Sequence, residues 1–169
     1  ILLIYVYLCE KETYDSYKKV VMLFVLYMFS LILCVLFSYL NIMLMPVIVC
    51  SMMVSLLLNM NIAIVAQTLL SLTAGIIAYF ANDASVSTAF IIAASSIIGG
   101  GAAAYFSRKV TQRSRLFIAG VCGGIISALT VLALSFLFVS DLSGLIYDIL
   151  AVLCSAVLSS VSEYFRFWK

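Results

Sequence analysis

The chain has 169 residues, 66% of them hydrophobic and 9% charged, with a formal net charge of +2. A water-soluble domain carries about 25% charged residues, so a mean hydropathy of +1.28 excludes that class and leaves lipid as the solvent that suits the composition. The chain has no His, which removes imidazole bases and His-containing metal sites; no catalytic residue, metal ligand or cofactor is expected in it, and no nucleic-acid partner.

The first nine residues, ILLIYVYLC, are apolar, start without Met and follow no charged region. They do not read as a signal peptide. They read as the last turns of a membrane helix (crossing about 1–8) whose beginning is missing, so the chain is expected to be a fragment of a longer protein. A spanning helix needs about 20 mostly apolar residues. Six such runs follow: Val20–Leu40, Ile42–Leu58, Ile62–Phe80, Ala84–Phe106, Leu116–Val139 and Leu142–Ser162. The second is short and carries the single proline, Pro46, in its first turn, where a missing N–H costs little. Only Asn59-Met60-Asn61 separates the second run from the third, which predicts a tight helical hairpin. Every loop is short, and no repeat, linker or second domain is visible. The expected fold is all-α, a polytopic transmembrane bundle of six full crossings and a truncated first helix, forming one domain over residues 1–169.

All nine Lys and Arg fall in three places: Lys11, Lys18 and Lys19; Arg108, Lys109, Arg113 and Arg115; and Arg166 and Lys169. Threading the chain once per apolar run puts all three on one side. The other side holds Asn41, Asn82-Asp83 and Ser140-Asp141, with no basic residue. Cytoplasmic loops carry the excess of Lys and Arg. The expected location is therefore a cell membrane, multi-pass, with the N-terminal end outside and the C-terminus in the cytoplasm. Merging the second and third runs would break this pattern, so charge also supports the count.

The fifth crossing contains Gly99-Gly100-Gly101 and the sixth has Gly120 and Gly124 four apart. Helices associate in lipid where small residues let backbones approach. Gly100, Gly120, Gly124, Ser155 and Ser159 are therefore expected helix-packing positions. A phosphate cradle would need a strand, a loop and a companion Lys, which are lacking. Asp148 in the last run is the intramembrane polar candidate, since a carboxylate at depth is costly; the plainer reading is that it reaches the outer surface or accepts hydrogen bonds from the bundle. Asn59, Asn61 and Gln67 are expected to cap or bridge helices. The basic loop with Arg108, Lys109, Arg113 and Arg115 sets topology and attracts anionic lipid, at about 1 kcal/mol per charge. Tyr39, Tyr79 and Phe80 at one set of helix ends, and Phe106, Tyr164, Phe165, Phe167 and Trp168 at the other, read as interfacial belts. The five cysteines are scattered and never form CxxC; four read as small apolar residues, and Cys9, at a membrane edge, is the one suited to palmitoylation.

Three segments together carry a resemblance: PVIVCSMMVSLLLNMNIAIVAQTLLSLTAGI, SIIGGGAAAYFSRKVTQRSRLFIAGVCGGIISAL and LSGLIYDILAVLCSAVLSSVSEYF. A short helix begins at Pro46, a Gly-rich helix follows, and a basic loop with Arg113 precedes Gly120. This resembles the membrane region of bacterial seven-transmembrane receptors with a C-terminal HD phosphohydrolase domain. The resemblance implies signal transduction from an extracellular domain to a cytoplasmic HD domain that hydrolyses cyclic di-AMP with metal ions. Both domains of the intact protein are then partners, with the lipid bilayer and a homo-oligomer as further expectations. The sequence departs from the full pattern: it has no extracellular domain, no HD motif and no His.

Two other classes remain open on the residues alone. A small-solute transporter or substrate-binding membrane subunit would use Asp148 and a polar helix face, and would need a water-filled cavity. An accessory membrane protein of a larger complex would need neither.

Overall fold

The computed structural model describes residues 2–9, 17–41, 43, 45–81, 85–107, 113–138 and 146–157, apart from the side chains of 3, 8, 9, 81 and 113–117. These residues form seven helices and no strand. They are α1 (Leu2–Cys9), α2 (Tyr17–Ser38), α3 (Ile48–Leu57), α4 (Met60–Ala81), α5 (Val86–Ser107), α6 (Arg113–Phe138) and α7 (Ile146–Val157). Four of them, α2, α4, α5 and α6, are long and apolar enough to cross a membrane. Intrasegment hydrogen bonding is what makes helix the available structure for these sequences in lipid.

Helices α4, α5 and α6 form the centre. The most extensive interface joins α5 to α6, followed by α4 to α5. Both pairs are antiparallel: Gly75 near the end of α4 meets Ala89 near the start of α5, while Gln67 nearer the start of α4 meets Gly100. Across α5 and α6, Gly99 meets Gly123 and Ser127, and Ala103 meets Gly123. Ser85 caps α5, its Oγ accepting from the Thr88 N–H at 3.2 Å.

The run Ile42–Leu58 holds only a ten-residue helix, α3. At 1.5 Å per residue that is about 15 Å, half of a hydrocarbon layer of about 30 Å. The chain reaches it through irregular backbone. After α2, Met43 N–H donates to Asn41 Oδ1 at 2.9 Å, Val47 N–H donates to the Met45 carbonyl at 2.8 Å, and α3 begins two residues after Pro46. Residues Ile48–Ser55 of α3 are all buried, so this helix is covered on every side. Only Leu58 and Asn59 separate α3 from α4: Leu58 N–H donates to the Val54 carbonyl at 3.0 Å at the end of α3, and Ala63 N–H donates to the Asn59 carbonyl at 3.0 Å at the start of α4. Ser55 Oγ ties the end of α3 to the Ala104 carbonyl of α5 at 3.0 Å.

Two packed clusters result. The larger joins α1 through Val6, α2 through Leu23, Leu26 and Cys34, and the inner faces of α3, α4 and α5. The smaller, Ile48, Met52, Ala103, Ala119 and Ala156, sits where α3, α5, α6 and α7 meet.

Candidate functional site

The three consecutive glycines of α5 fall in three environments, because each helical residue turns about 100° from the last. Gly99 faces α6: a Cβ there would lie 2.6 Å from Ser127 Cβ and 2.9 Å from the Gly123 carbonyl oxygen. Gly123 is the reciprocal position, where a Cβ would lie 2.9 Å from the Gly99 carbonyl oxygen. Backbone meets backbone here, and only glycine permits it. Gly100 faces α4, and a Cβ on it would run into the Gln67 side chain from Cγ outward. Gly101 has open space around it.

Gln67 is 1% exposed and lies in the notch that Gly100 leaves. Its Nε2 donates to the Ser96 carbonyl of α5 at 3.0 Å, a polar tie between helices. Its Oε1 accepts no hydrogen bond among the described residues.

Behind the Gly99–Gly123 contact lies a cavity of about 20 Å³. Ser95 and Ser96 of α5, Ser127 of α6 and Ser155 of α7 supply its polar lining, and Met43, Met45, Val47 and Ile48 line it from the start of α3 and the backbone before it. Ser95 donates to the Ile92 carbonyl at 3.1 Å, Ser96 to the same carbonyl at 2.6 Å, Ser127 to Gly124 at 2.9 Å and Ser155 to Val152 at 2.8 Å. Each serine thus returns its proton to its own helix, as hydroxyls in apolar helices do.

The expected packing positions distribute as follows. Gly100 packs on Gln67 of α4; Gly120 is buried in α6; Gly124 meets Ala156 of α7, not α5. The backbone approach between α5 and α6 is made one residue away from two of these positions, at Gly99 and Gly123. Ser155 is buried on the cavity, and Ser159 lies outside the described residues. Asp148 is half-buried in the first turn of α7. Arg113 and Arg115 stand in the first turn of α6, while Arg108 and Lys109 lie outside the described residues, as do Tyr164, Phe165, Phe167 and Trp168. Tyr39, Tyr79 and Phe80 are exposed at the C-terminal ends of α2 and α4, and Phe106 at that of α5. The serine cavity escaped the sequence reading, which placed Ser155 on a packing stripe. Its signal was present in Ser95-Ser96 and Ser127, each at mid-helix.

Compared with known families, residues 1–164 match the model of the 7TM receptor with intracellular HD hydrolase. The chain belongs to that family. No curated protein and no solved structure matches it. The multi-pass membrane character read from composition agrees with this receptor family and with the four long apolar helices. The receptor's membrane region contains no His, and among the described residues no group of three or more His, Cys, Asp or Glu could hold a metal ion. What the described residues supply is helix contact: close backbone approach at Gly99 and Gly123, a small-residue contact at Gly124 and Ala156, and a polar tie at Gln67.

Proposed function

We propose that this chain is the relay of the receptor, passing an external state to a cytoplasmic HD hydrolase that acts on cyclic di-AMP. The observation that carries the reading is the family match over residues 1–164. The basic residues support its direction: Lys18 and Lys19 start α2 and Arg113 starts α6, two helices that begin at the same end under alternating threading. That end is cytoplasmic on the positive-inside rule, which puts the N-terminal end outside.

The relay works by a shift of packed helices relative to one another. The Gly120/Gly124 face of α6 is its sliding surface, and the partner there is α7 through Ala156. Small residues suit this role, since they hold helices close with no side chain to unlock. Asp148, in the first turn of α7, remains the polar candidate at depth on the same helix. A solute path is less well supported, because the serine-lined cavity has a volume of only about 20 Å³.

The test is hydrolysis of cyclic di-AMP by the full-length receptor in native membranes, with and without Gly124→Val. The relay reading expects hydrolysis in the parent and a changed rate in a Gly124→Val protein that folds and inserts normally. Unchanged rates in that variant would sink the sliding surface, and hydrolysis of other substrates in place of cyclic di-AMP would sink the substrate. Labelling of single cysteines placed at residues 41 and 110 reads the orientation independently.

A further inference from the structure

We propose that the serine-lined cavity is a water site, binding one water molecule that joins α5, α6 and α7 at mid-membrane. Size is the first argument. About 20 Å³ exceeds the roughly 10–15 Å³ that a single water requires and leaves no room for an organic ligand. Depth is the second. Ser95 lies nine residues into α5 and Ser127 eleven residues before the end of α6. At 1.5 Å per residue these are about 14 and 16 Å from the helix ends, near the middle of a layer about 30 Å thick.

Chemistry names the occupant. The hydroxyl hydrogens of Ser95, Ser96, Ser127 and Ser155 are committed to backbone carbonyls of their own helices. The oxygens of Ser95, Ser96 and Ser127 therefore present lone pairs to the cavity, so the occupant donates hydrogen bonds; an anion is excluded. Val47 and Ile48 bring the start of α3 to the same cavity. The N-cap there, Val47, makes no side-chain hydrogen bond to the first turn. The Val47 and Val49 N–H groups are bonded to the carbonyls of Met45 and Pro46, but a helix start still carries partial positive charge that favours an acceptor oxygen beside it. A bare cation could satisfy the serine oxygens but would be repelled by that helix start. Water donates to the serine oxygens and turns its own oxygen toward the positive helix start.

The backbone is consistent with this. Non-helical chain at membrane depth persists where protein buries it or where it borders water, and Met45 and Val47, in irregular backbone just before α3, border this cavity. Gln67 extends the polar patch, with Nε2 bound to the carbonyl of Ser96, whose hydroxyl lines the cavity.

Cryo-electron microscopy of the full-length receptor in lipid nanodiscs, at a resolution that shows ordered water, tests the site directly. We expect one isolated peak within hydrogen-bond distance of at least two of the four serine oxygens, present equally in sodium buffer and in N-methylglucamine buffer. A peak seen only with sodium, lipid-tail density in the cavity or direct serine–serine closure would overturn the proposal. In solution, Ser127→Ala and Ser155→Ala are combined in a thermal-unfolding cycle. A shared water couples them, so the double variant loses less in Tm than the two single losses added together. Strictly additive losses would also overturn it.

Discussion

Helices α2 and α4 have the same length and opposite environments. Of the four long helices, α2 is the most apolar, yet only 22% of its most apolar stretch is buried; the corresponding share in α4 is 50%. In water the ranking would be reversed. In lipid, an apolar side chain gains nothing by leaving the solvent for a protein core, so burial is reserved for residues that pack closely or need a polar partner. The buried line of α2 shows this. It runs Leu23, Leu26, Ser30, Cys34 and Ser38, a single stripe at helical spacing whose last three members are small. Phe24, Phe29, Ile32 and Leu36 point outward. At the centre, α4 and α5 bury Gln67, Ser71, Ala74, Ser95, Gly99 and Gly100. The comparison teaches that in this molecule overall apolarity does not predict burial, and that small and polar residues are buried beside large apolar ones such as Ile62, Leu70 and Ile91.

The strongest way to break that comparison is to enlarge the centre. Gly99→Val places a branched side chain against Ser127 Cβ and the Gly123 carbonyl, neither of which can rotate away. The expected cost is about 3 kcal/mol, seen as a large drop in Tm or as loss of the monodisperse peak in detergent. A normal Tm would show that the two helices are not held at backbone distance.

Gly100→Ala sharpens the comparison, because its obstacle is a side chain. The expected loss is about 1–2 kcal/mol, and Gln67→Ala in the same chain should recover about 1 kcal/mol of it. Equal loss in single and double variants would mean that Gln67 does not fill the notch.

Ser55→Ala removes the hydrogen bond to the Ala104 carbonyl. Measured by the same thermal unfolding, it should cost about 1 kcal/mol, the scale of interhelical hydrogen bonds in membranes.

Gly101→Ala, only a residue or two from the first two sites, meets open space and should stabilise by about 0.5 kcal/mol through the lower chain entropy of alanine. On the lipid face of α2, Ile32→Leu should stay within about 0.5 kcal/mol. A clear loss there would identify a protein partner on a face now assigned to lipid.

Much of the architecture was legible beforehand, because lipid imposes so few options. Apolar run length located α2, α4, α5 and α6, and Asn59 marked the break before α4. The extent of α3 was not legible. Its apolar run begins at Ile42, but α3 begins only at Ile48, two residues after Pro46, whose ring and missing N–H disfavour helix before it. Among the packing residues, glycine as a type was readable and its partner was not. Gly124 meets α7 at Ala156, while the neighbouring Gly123 meets α5. Of the two roles open to Gln67, capping a helix or bridging two, it takes the second, joining α4 to α5. The serine cavity draws one or two residues from each of three helices, so no local pattern could announce it.

By itself the sequence determined the solvent, the helical class and the family resemblance. Those properties are sums over many residues, and composition carries them. Only the tertiary structure decided which face of each helix turns inward, which glycine meets which neighbour and where four serines converge. The reason is rotational. A helix in water shows its inner face by being apolar there, whereas these helices are apolar nearly all round, and a turn of about 100° per residue separates a glycine pressed on backbone from one in open space.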